Sequence, residues 1–173
     1  MTVVSDAGPL IAFAKIGALD TLRSLHAEVL VPPAVFREAI EEGLLRGEPD
    51  AKDLSQYLRA GGLRVVPLER ASPLSSRWGA GERECFELAI EQQADWLLID
   101  DWDARQEIEK ELRNLGRPTQ FRGTLGLLVA AQAAGNLSGA QAAELVLRLR
   151  QRPDIWISPE LCDRVLATLA RES

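Results

Sequence analysis

Several residue types that support metal and redox chemistry are scarce in this sequence of 173 residues. It holds two cysteines, Cys85 and Cys162, which are too few for a disulfide framework or a cysteine-based zinc site. A single histidine, His26, excludes any mechanism or metal site that needs two imidazoles. The longest apolar runs, such as residues 124–134, are far shorter than the roughly 20 residues of a membrane-spanning helix. The amino terminus lacks a basic segment and a signal-type cleavage site, so we expect a cytoplasmic protein with no membrane partner.

The remaining composition is that of an ordinary globular protein, with 46% hydrophobic and 27% charged residues. The chain is long enough to bury a core without disulfides or structural metals. The net charge of −6 is unevenly distributed: residues 1–103 hold 10 basic and 18 acidic side chains, whereas residues 104–152 hold 8 basic and 4 acidic ones. An acidic protein is a weak candidate for general nucleic-acid binding, but this asymmetry leaves room for a basic face beside an acidic pocket.

Short β-branched runs alternate with helical stretches along the chain. The runs are nearly all apolar, which is typical of strands that are covered on both faces of a parallel sheet. They lie at residues 3–5, 29–31, 63–66 and 96–99, with a weaker fifth at 119–121. We therefore predict a three-layer α/β/α sandwich with a central parallel sheet of about five strands.

Helix patterns fill the segments between these strands and most of the carboxyl-terminal third. The expected long loops are residues 43–49 and 69–81, which are rich in glycine and proline or lack helical periodicity. We assign residues 1–130 to the α/β domain. Residues 131–173 form a helical extension that we expect to pack on the same domain.

Carboxylates follow the predicted strands and open or occupy the neighbouring helices. Asp6 ends the first strand, and Asp100 and Asp101 end the fourth, with Asp103 two positions further on. In an open parallel sheet, ligands bind beyond the carboxyl ends of the strands, so these are the residues to consider first. Two glutamates extend the set, Glu38 on the helix after the second strand and Glu82 at the start of the helix before the fourth strand.

Each acid also has an ordinary structural interpretation. Asp6 can cap the helix that Pro9 opens, and Glu38 can lie on a solvated helix face. Glu82 lies in a helix first turn, where the helix dipole favours an acid. The three aspartates at 100, 101 and 103 can cap the next helix, although one cap does not need three acids.

Taken together, the acids indicate a hard-oxygen metal site. Clustered carboxylates raise one another's pKa unless a cation lies between them, and oxygen ligands without histidine or thiolate suit Mg²⁺ or Mn²⁺. Other α/β functions fit less well, because the sequence has no Walker lysine motif and no Gly-x-Gly-x-x-Gly after the first strand. A phosphoacceptor receiver domain would need a lysine near the end of the fifth strand, and none lies there.

Four segments, in order, resemble the motifs of PIN-domain nucleases. They are residues 3–11 (VVSDAGPLI), 31–38 (VPPAVFRE), 79–82 (GAGE) and 97–101 (LLIDD). The resemblance covers roughly residues 1–130 and is closest to a bacterial and archaeal PIN-like branch that also carries a segment like residues 123–126 (GTLG). VapC-type toxins of toxin–antitoxin pairs are relatives of this branch.

The resemblance implies a ribonuclease that depends on Mg²⁺ or Mn²⁺ and hydrolyses RNA phosphodiester bonds. Its catalytic residues would be Asp6, Glu38, Glu82 and Asp100. The metal ligands would be Asp6, Glu38 and Asp100, supported by Asp101 and Asp103. Many relatives carry aspartate where this chain has Glu82, which changes the reach of that carboxylate.

Substrate contacts are expected from three residues, Thr124, Arg105 and Trp102. Thr124 would contact phosphate or a water on the metal, and Trp102, which lies among the clustered acids, would stack on a base. Arg105 belongs to a possible phosphate-tracking face, although glutamates interleave its basic residues as they do on a solvated helix.

The expected partners are an RNA substrate, a small cognate antitoxin and a second copy of the chain in a homodimer. Two alternatives remain open from the sequence. One is a catalytically weak or inactive PIN-like module that acts through a protein partner. The other is a metal-dependent phosphatase that acts on small phosphate esters.

Overall fold

The computed structural model describes residues 1–69 and 78–170. Its centre is a parallel sheet of five three-residue strands in the order β3-β2-β1-β4-β5. The strands are β1 (Val3–Ser5), β2 (Val29–Val31), β3 (Leu63–Val65), β4 (Trp96–Leu98) and β5 (Gln120–Arg122). All five predicted strands are present, each within a residue or two of its predicted position. The predicted α/β/α class is therefore confirmed.

The middle strand, β1, positions the first of the predicted site residues, Asp6, beside the end of β4. It pairs in parallel with β2 on one side and with β4 on the other, in a register that places Ser5 beside Leu98. Every residue of β1 is buried, because helices cover both faces of the sheet. The carboxyl ends of β1 and β4 thus lie side by side at one edge of the sheet.

Two helical layers cover the sheet. The helices of the first half are α1 (Ala7–Lys15), α2 (Leu19–Leu25), α3 (Pro33–Phe36), a π-helical turn (Arg37–Glu41), α4 (Glu42–Arg46) and α5 (Pro49–Arg59). Those of the second half are α6 (Ala80–Glu91), α7 (Trp102–Asn114), α8 (Thr124–Ala133), α9 (Gly139–Arg150) and α10 (Pro159–Leu169). In one layer α1 contacts α2, α5 and α8, and in the other α6 contacts α7.

The two last helices share the core of the sheet domain. Helix α9 packs on α8 and α10, and α10 also contacts α8. Val146, Leu149 and Cys162 are completely or almost completely buried and belong to the same apolar cluster as the strands. None of the helices formed by residues 1–69 and 78–170 is long and apolar enough to cross a bilayer.

One predicted loop is wrong, and the other lies mostly outside the described residues. Residues 43–46 of the expected loop 43–49 belong to helix α4, which ends at Gly47 in the left-handed conformation (φ 75°), and residue 49 opens α5. Gly43 lies inside this helix. A Cβ at this position would lie only 2.6 Å from the Cβ of Ala51, so a larger residue would clash there. This glycine therefore permits close packing of two helices instead of a turn. Of the expected loop 69–81, residues 70–77 lie outside the described part of the chain.

Candidate active site

Asp6 stands at the centre of the candidate site, directly after β1. Its backbone N–H donates to the carbonyl oxygen of Leu98 over 2.9 Å, which ties it to the end of β4. Helix α1 begins at the next residue, but the Asp6 side chain makes no capping hydrogen bond to that helix. The carboxylate is thus not used as a helix cap, the ordinary alternative for this residue.

The Asp6 carboxylate is costly to ionise in this position. Burial raises its pKa from an ordinary value of 3.8 to about 7. The backbone N–H of Ala7 works against this rise, whereas the negative charges of Glu38, Glu82 and Asp100 add to it. Those interactions also locate the three other predicted catalytic carboxylates around Asp6. We call Asp6, Glu38, Glu82 and Asp100 the acid cluster.

Glu38 lies in the only π-helical turn of the described residues, Arg37–Glu41. A π-helical turn widens a helix by one residue and often occurs at functional sites, because it re-aims a side chain. The start of the preceding helix is held by Glu84 of α6, whose carboxylate accepts from the Ala34 N–H over 2.7 Å. Burial raises the pKa of Glu38, and the nearby Glu42 and Glu82 add to the rise.

A glycine at the start of α6 allows two of these carboxylates to approach each other. A Cβ on Gly81 would lie 3.1 Å from Asp6 Oδ1 and 3.5 Å from Glu38 Oε2. Both carboxylates therefore converge on the bare backbone of the α6 amino terminus, where the helix dipole partly offsets negative charge. Glu82 is the next residue and accepts from the Gly79 N–H over 2.9 Å.

Asp100 is held by Thr124 at the start of α8. The Thr124 N–H donates to Asp100 Oδ1 over 2.7 Å, and its hydroxyl donates to Oδ2 over 2.6 Å. Burial raises the pKa of Asp100, and these two hydrogen bonds counteract the rise. Thr124 is completely buried in this position, and its contact with a substrate stays a prediction. Gly123 makes these hydrogen bonds possible, since a Cβ there would lie 2.7 Å from Asp100 Oδ1.

The two remaining predicted metal ligands lie at the amino terminus of α7. Asp101 caps this helix, because its Oδ1 accepts from the Ala104 N–H over 2.8 Å. Asp103 is exposed in the first turn of the same helix. Sequence analysis offered capping as the alternative for these aspartates, and Asp101 has that contact. A metal role for either stays a prediction.

The acid cluster forms no ion pair among residues 1–69 and 78–170, although the charge of Arg46 partly offsets the raised pKa of Glu38. None of the ion pairs within 4 Å in this part of the chain includes one of its four carboxylates. In the same residues, no three metal-ligating side chains converge closely enough to hold an ion by themselves. Mg²⁺ nevertheless fits this donor set, since it usually binds to one or two carboxylates and completes its shell with water and phosphate oxygens.

The predicted substrate residues Trp102 and Arg105 lie together on α7. Trp102 is 62% exposed two residues beyond Asp100. The Arg105 guanidinium lies 5.6 Å from the Trp102 ring centre and 5.8 Å from that of Phe121. Its charge is therefore partly engaged by two aromatic rings.

A cavity of about 260 Å³ opens beside the acid cluster, and sequence analysis did not predict one of its walls. One wall is a face of α1 from Gly8 to Lys15, and the other is the segment from Asp154 to Ile157 between α9 and α10. Glu38 and Asp100 line the same cavity. Neither this wall nor the Glu84 contact has a local sequence signal, because each depends on segments that are distant in the chain.

The comparisons with known proteins agree with this architecture. A family model described as a PIN domain matches residues 2–171, which is nearly the whole chain and includes α9 and α10. No curated protein and no solved structure shows a significant match. The resemblance inferred from the four motifs is confirmed by the family match, and the chain belongs to the PIN-domain family.

Proposed function

We propose that this protein is a metal-dependent endoribonuclease whose acid cluster directs the hydrolysis of RNA phosphodiester bonds. PIN domains have a nuclease-type fold, which supports the general activity. One observation carries the assignment to these residues: Asp6 and Glu38 converge on Gly81, Asp100 follows the neighbouring strand β4, and all three carboxylates have raised pKa values. A protein gains nothing in stability from such an arrangement unless a cation joins it.

The cation would be Mg²⁺ or Mn²⁺, held by carboxylate oxygens of Asp6, Glu38 and Asp100. When bound, such an ion supplies positive charge to a phosphodiester and acidifies a water. The chain's own residues set the geometry. Thr124 fixes both oxygens of Asp100, and Gly81 leaves the space between Asp6 and Glu38 open. Glu82 has one oxygen held by the Gly79 N–H at the start of α6.

RNA as the substrate, and a place in a type II toxin–antitoxin pair, rest on the resemblance to VapC-type PIN domains. A small antitoxin would inhibit the enzyme by placing an arginine among the carboxylates, where bidentate pairing is strong. Expression of the chain alone should then arrest growth, and the Asp6→Asn variant should not. Dimerisation of the toxin belongs to the same proposal.

The first experiment is an RNA cleavage assay with the full chain in Mg²⁺, in Mn²⁺ and in EDTA. We expect cleavage with either metal, none in EDTA, and a loss of at least about 100-fold in Asp6→Asn, as expected for removal of a group central to transition-state charge stabilisation. Asp53→Asn is the matched control, since Asp53 is exposed on α5. A phosphomonoester substrate in parallel tests the phosphatase alternative.

A second candidate function is a PIN scaffold that works through a protein partner without cleaving RNA. The absence of three converging metal ligands among the described residues favours it. The same assay separates the two. If wild-type protein leaves RNA intact, and neither metal changes its thermal stability, the nuclease proposal fails and the scaffold function replaces it.

A further inference from the structure

The cavity beside the acid cluster is a groove with chemically different ends. Along α1, from Gly8 to Lys15, it runs for roughly 10 Å, given the 1.5 Å rise of a helix. Glu38 and Asp100 lie at its first end and the Lys15–Asp154 ion pair at the other. Its middle is apolar on both sides, where Ile11 and Ala12 face the segment 154–157.

The segment that forms the outer wall is firmly attached to α1. Lys15 Nζ lies 2.7 Å from Asp154 Oδ2, and Arg152 donates twice to the Asp154 carboxylate over 2.9 Å. Arg152 also donates to the Lys15 carbonyl oxygen over 3.2 Å at the end of α1. We call residues 152–157 the anchored segment. Its attachments hold the outer wall in place without any bound partner.

Trp156 projects from this anchored segment into solvent at the groove. Its neighbours Ile155 and Ile157 are partly buried against the core, whereas the Trp156 side chain is fully exposed. The other described tryptophans are more covered: Trp78 is buried, Trp96 lies under the Arg122 guanidinium, and Trp102 is partly shielded. A fully exposed indole leaves a large apolar ring in water, and burying it against a flat partner is favourable.

We propose that Trp156 is the platform on which a nucleobase of the single-stranded substrate stacks while the adjoining phosphodiester lies at the acid cluster. This inference rests on the proposed nuclease function. Every base has a π-face, so an exposed indole on a fixed wall suits single strands of many sequences. The base would occupy the apolar middle of the groove, between Ile11 and the indole.

The test is a thermodynamic cycle between the indole and one base. Affinities are measured by fluorescence anisotropy in the Asp6→Asn background, which removes cleavage, with a labelled single-stranded RNA hexamer. A matched series replaces one base at a time by an abasic site. We expect Trp156→Ala to weaken binding of the intact hexamer by about 5- to 100-fold, and Trp156→Phe by only a few-fold. One abasic position should cause the same loss in the parent protein and no further loss in Trp156→Ala.

Leu161→Ala is the matched control, because Leu161 is an exposed apolar side chain of α10 that does not line the groove. It should bind the hexamer as the parent does.

Equal affinities of the parent and Trp156→Ala overturn the stacking role. If Trp156→Ala in the otherwise wild-type chain still cleaves RNA normally, the nuclease function stands. A change of oligomeric state with unchanged RNA affinity assigns the indole to a protein interface and also overturns it. If the wild-type chain neither binds nor cleaves RNA, both proposals fail.

Discussion

Two aspartates beside one groove have opposite electrostatic surroundings. Asp154, in the anchored segment, has Lys15 and Arg152 as hydrogen-bonded partners, and these hold its pKa well below its usual range. Asp6, in the acid cluster, has no cation within ion-pairing distance among the described residues, and burial raises its pKa to about 7. The same side chain thus stabilises the fold in one place and opposes it in the other.

This difference in pKa distinguishes the carboxylates that stabilise the fold from those that we propose for catalysis. Exposed ion pairs such as those of Asp154 contribute little each, but a network of three groups can fix a segment. Unpaired carboxylates whose pKa is raised by desolvation, such as Asp6 and Asp100, cost free energy when ionised, and such groups are found most often at functional sites. The raised pKa values of the acid cluster therefore indicate the candidate site more clearly than any single motif does. A bound cation should remove the free-energy cost of ionising these carboxylates.

The largest expected effect is a gain of stability when Asp6 is neutralised. A rise of its pKa from 3.8 to about 7 corresponds to about 4 kcal/mol against folding once the carboxylate is ionised in both states. Asp6→Asn should therefore raise the free energy of unfolding in EDTA at pH 8 by up to about that amount. Urea denaturation of both proteins measures it.

The pH dependence fixes the sign of this effect. Between pH 3.8 and about 7 the unfolded chain loses the Asp6 proton while the folded chain keeps it, so wild-type stability falls as pH rises through this window. The advantage of Asp6→Asn should therefore shrink toward pH 4. Asp154→Asn is the contrasting control, and it should lower stability by about 0.5–1 kcal/mol because Lys15 and Arg152 lose their shared partner. If both variants change stability in the same direction, the comparison is wrong.

An intermediate effect is expected from Thr124, whose hydroxyl donates to Asp100, one of the proposed metal ligands. Thr124→Val removes the hydroxyl that donates to Asp100 Oδ2 and keeps the backbone donor to Oδ1. The pKa of Asp100 should rise further, since a hydrogen bond to the ionised form favours it. We expect cleavage to fall by about 10- to 100-fold, as hydrogen bonds to charged groups are worth about 1.5–3 kcal/mol.

The readout that separates this positioning role from a general structural one is metal dependence. Thr124→Val should need a higher Mg²⁺ concentration for half-maximal cleavage, and a higher pH should restore part of its activity. Thr124→Ser keeps the hydroxyl and should remain close to wild type. A Thr124→Val protein with an unchanged Mg²⁺ requirement and an increased KM for RNA would instead place Thr124 against the substrate.

The sheet could be predicted from local sequence because its central strands β1 and β2 are short, fully buried and rich in valine, whereas the partly exposed β5 gave the weakest signal. The grouping of carboxylates at the strand ends follows from the same strand pattern, since a parallel sheet gathers those ends at one edge. The four motifs were assigned by resemblance to PIN domains. The prediction of a loop at residues 43–49 was wrong because Gly43 serves helix packing instead of a turn. Its close contact with Ala51 is a tertiary contact that no local sequence pattern reveals.

The features of the site that were not predicted also depend on contacts between segments that are distant in the chain. The contact of Glu84 with the Ala34 N–H joins residues 50 positions apart. The Lys15–Asp154 pair, which fixes the wall of the groove, joins residues 139 apart. Thr124 was expected to contact phosphate or a water on the metal, which stays a prediction; its hydrogen bonds to Asp100 join residues 24 apart and were not predicted.

The smallest expected effect concerns Asp101, which stands beside Asp100 in sequence but contacts a helix. Its Oδ1 accepts from the Ala104 N–H, so Asp101→Ala should cost about 1 kcal/mol of stability through loss of the cap of α7. Asp101→Ser keeps a capping oxygen and should recover most of that stability. Because serine removes the charge but not the cap, Asp101→Ser should also cleave RNA at the wild-type rate if Asp101 belongs with the stabilising aspartates. A stable Asp101→Ser protein that has lost cleavage would move Asp101 into the acid cluster and make it a metal ligand.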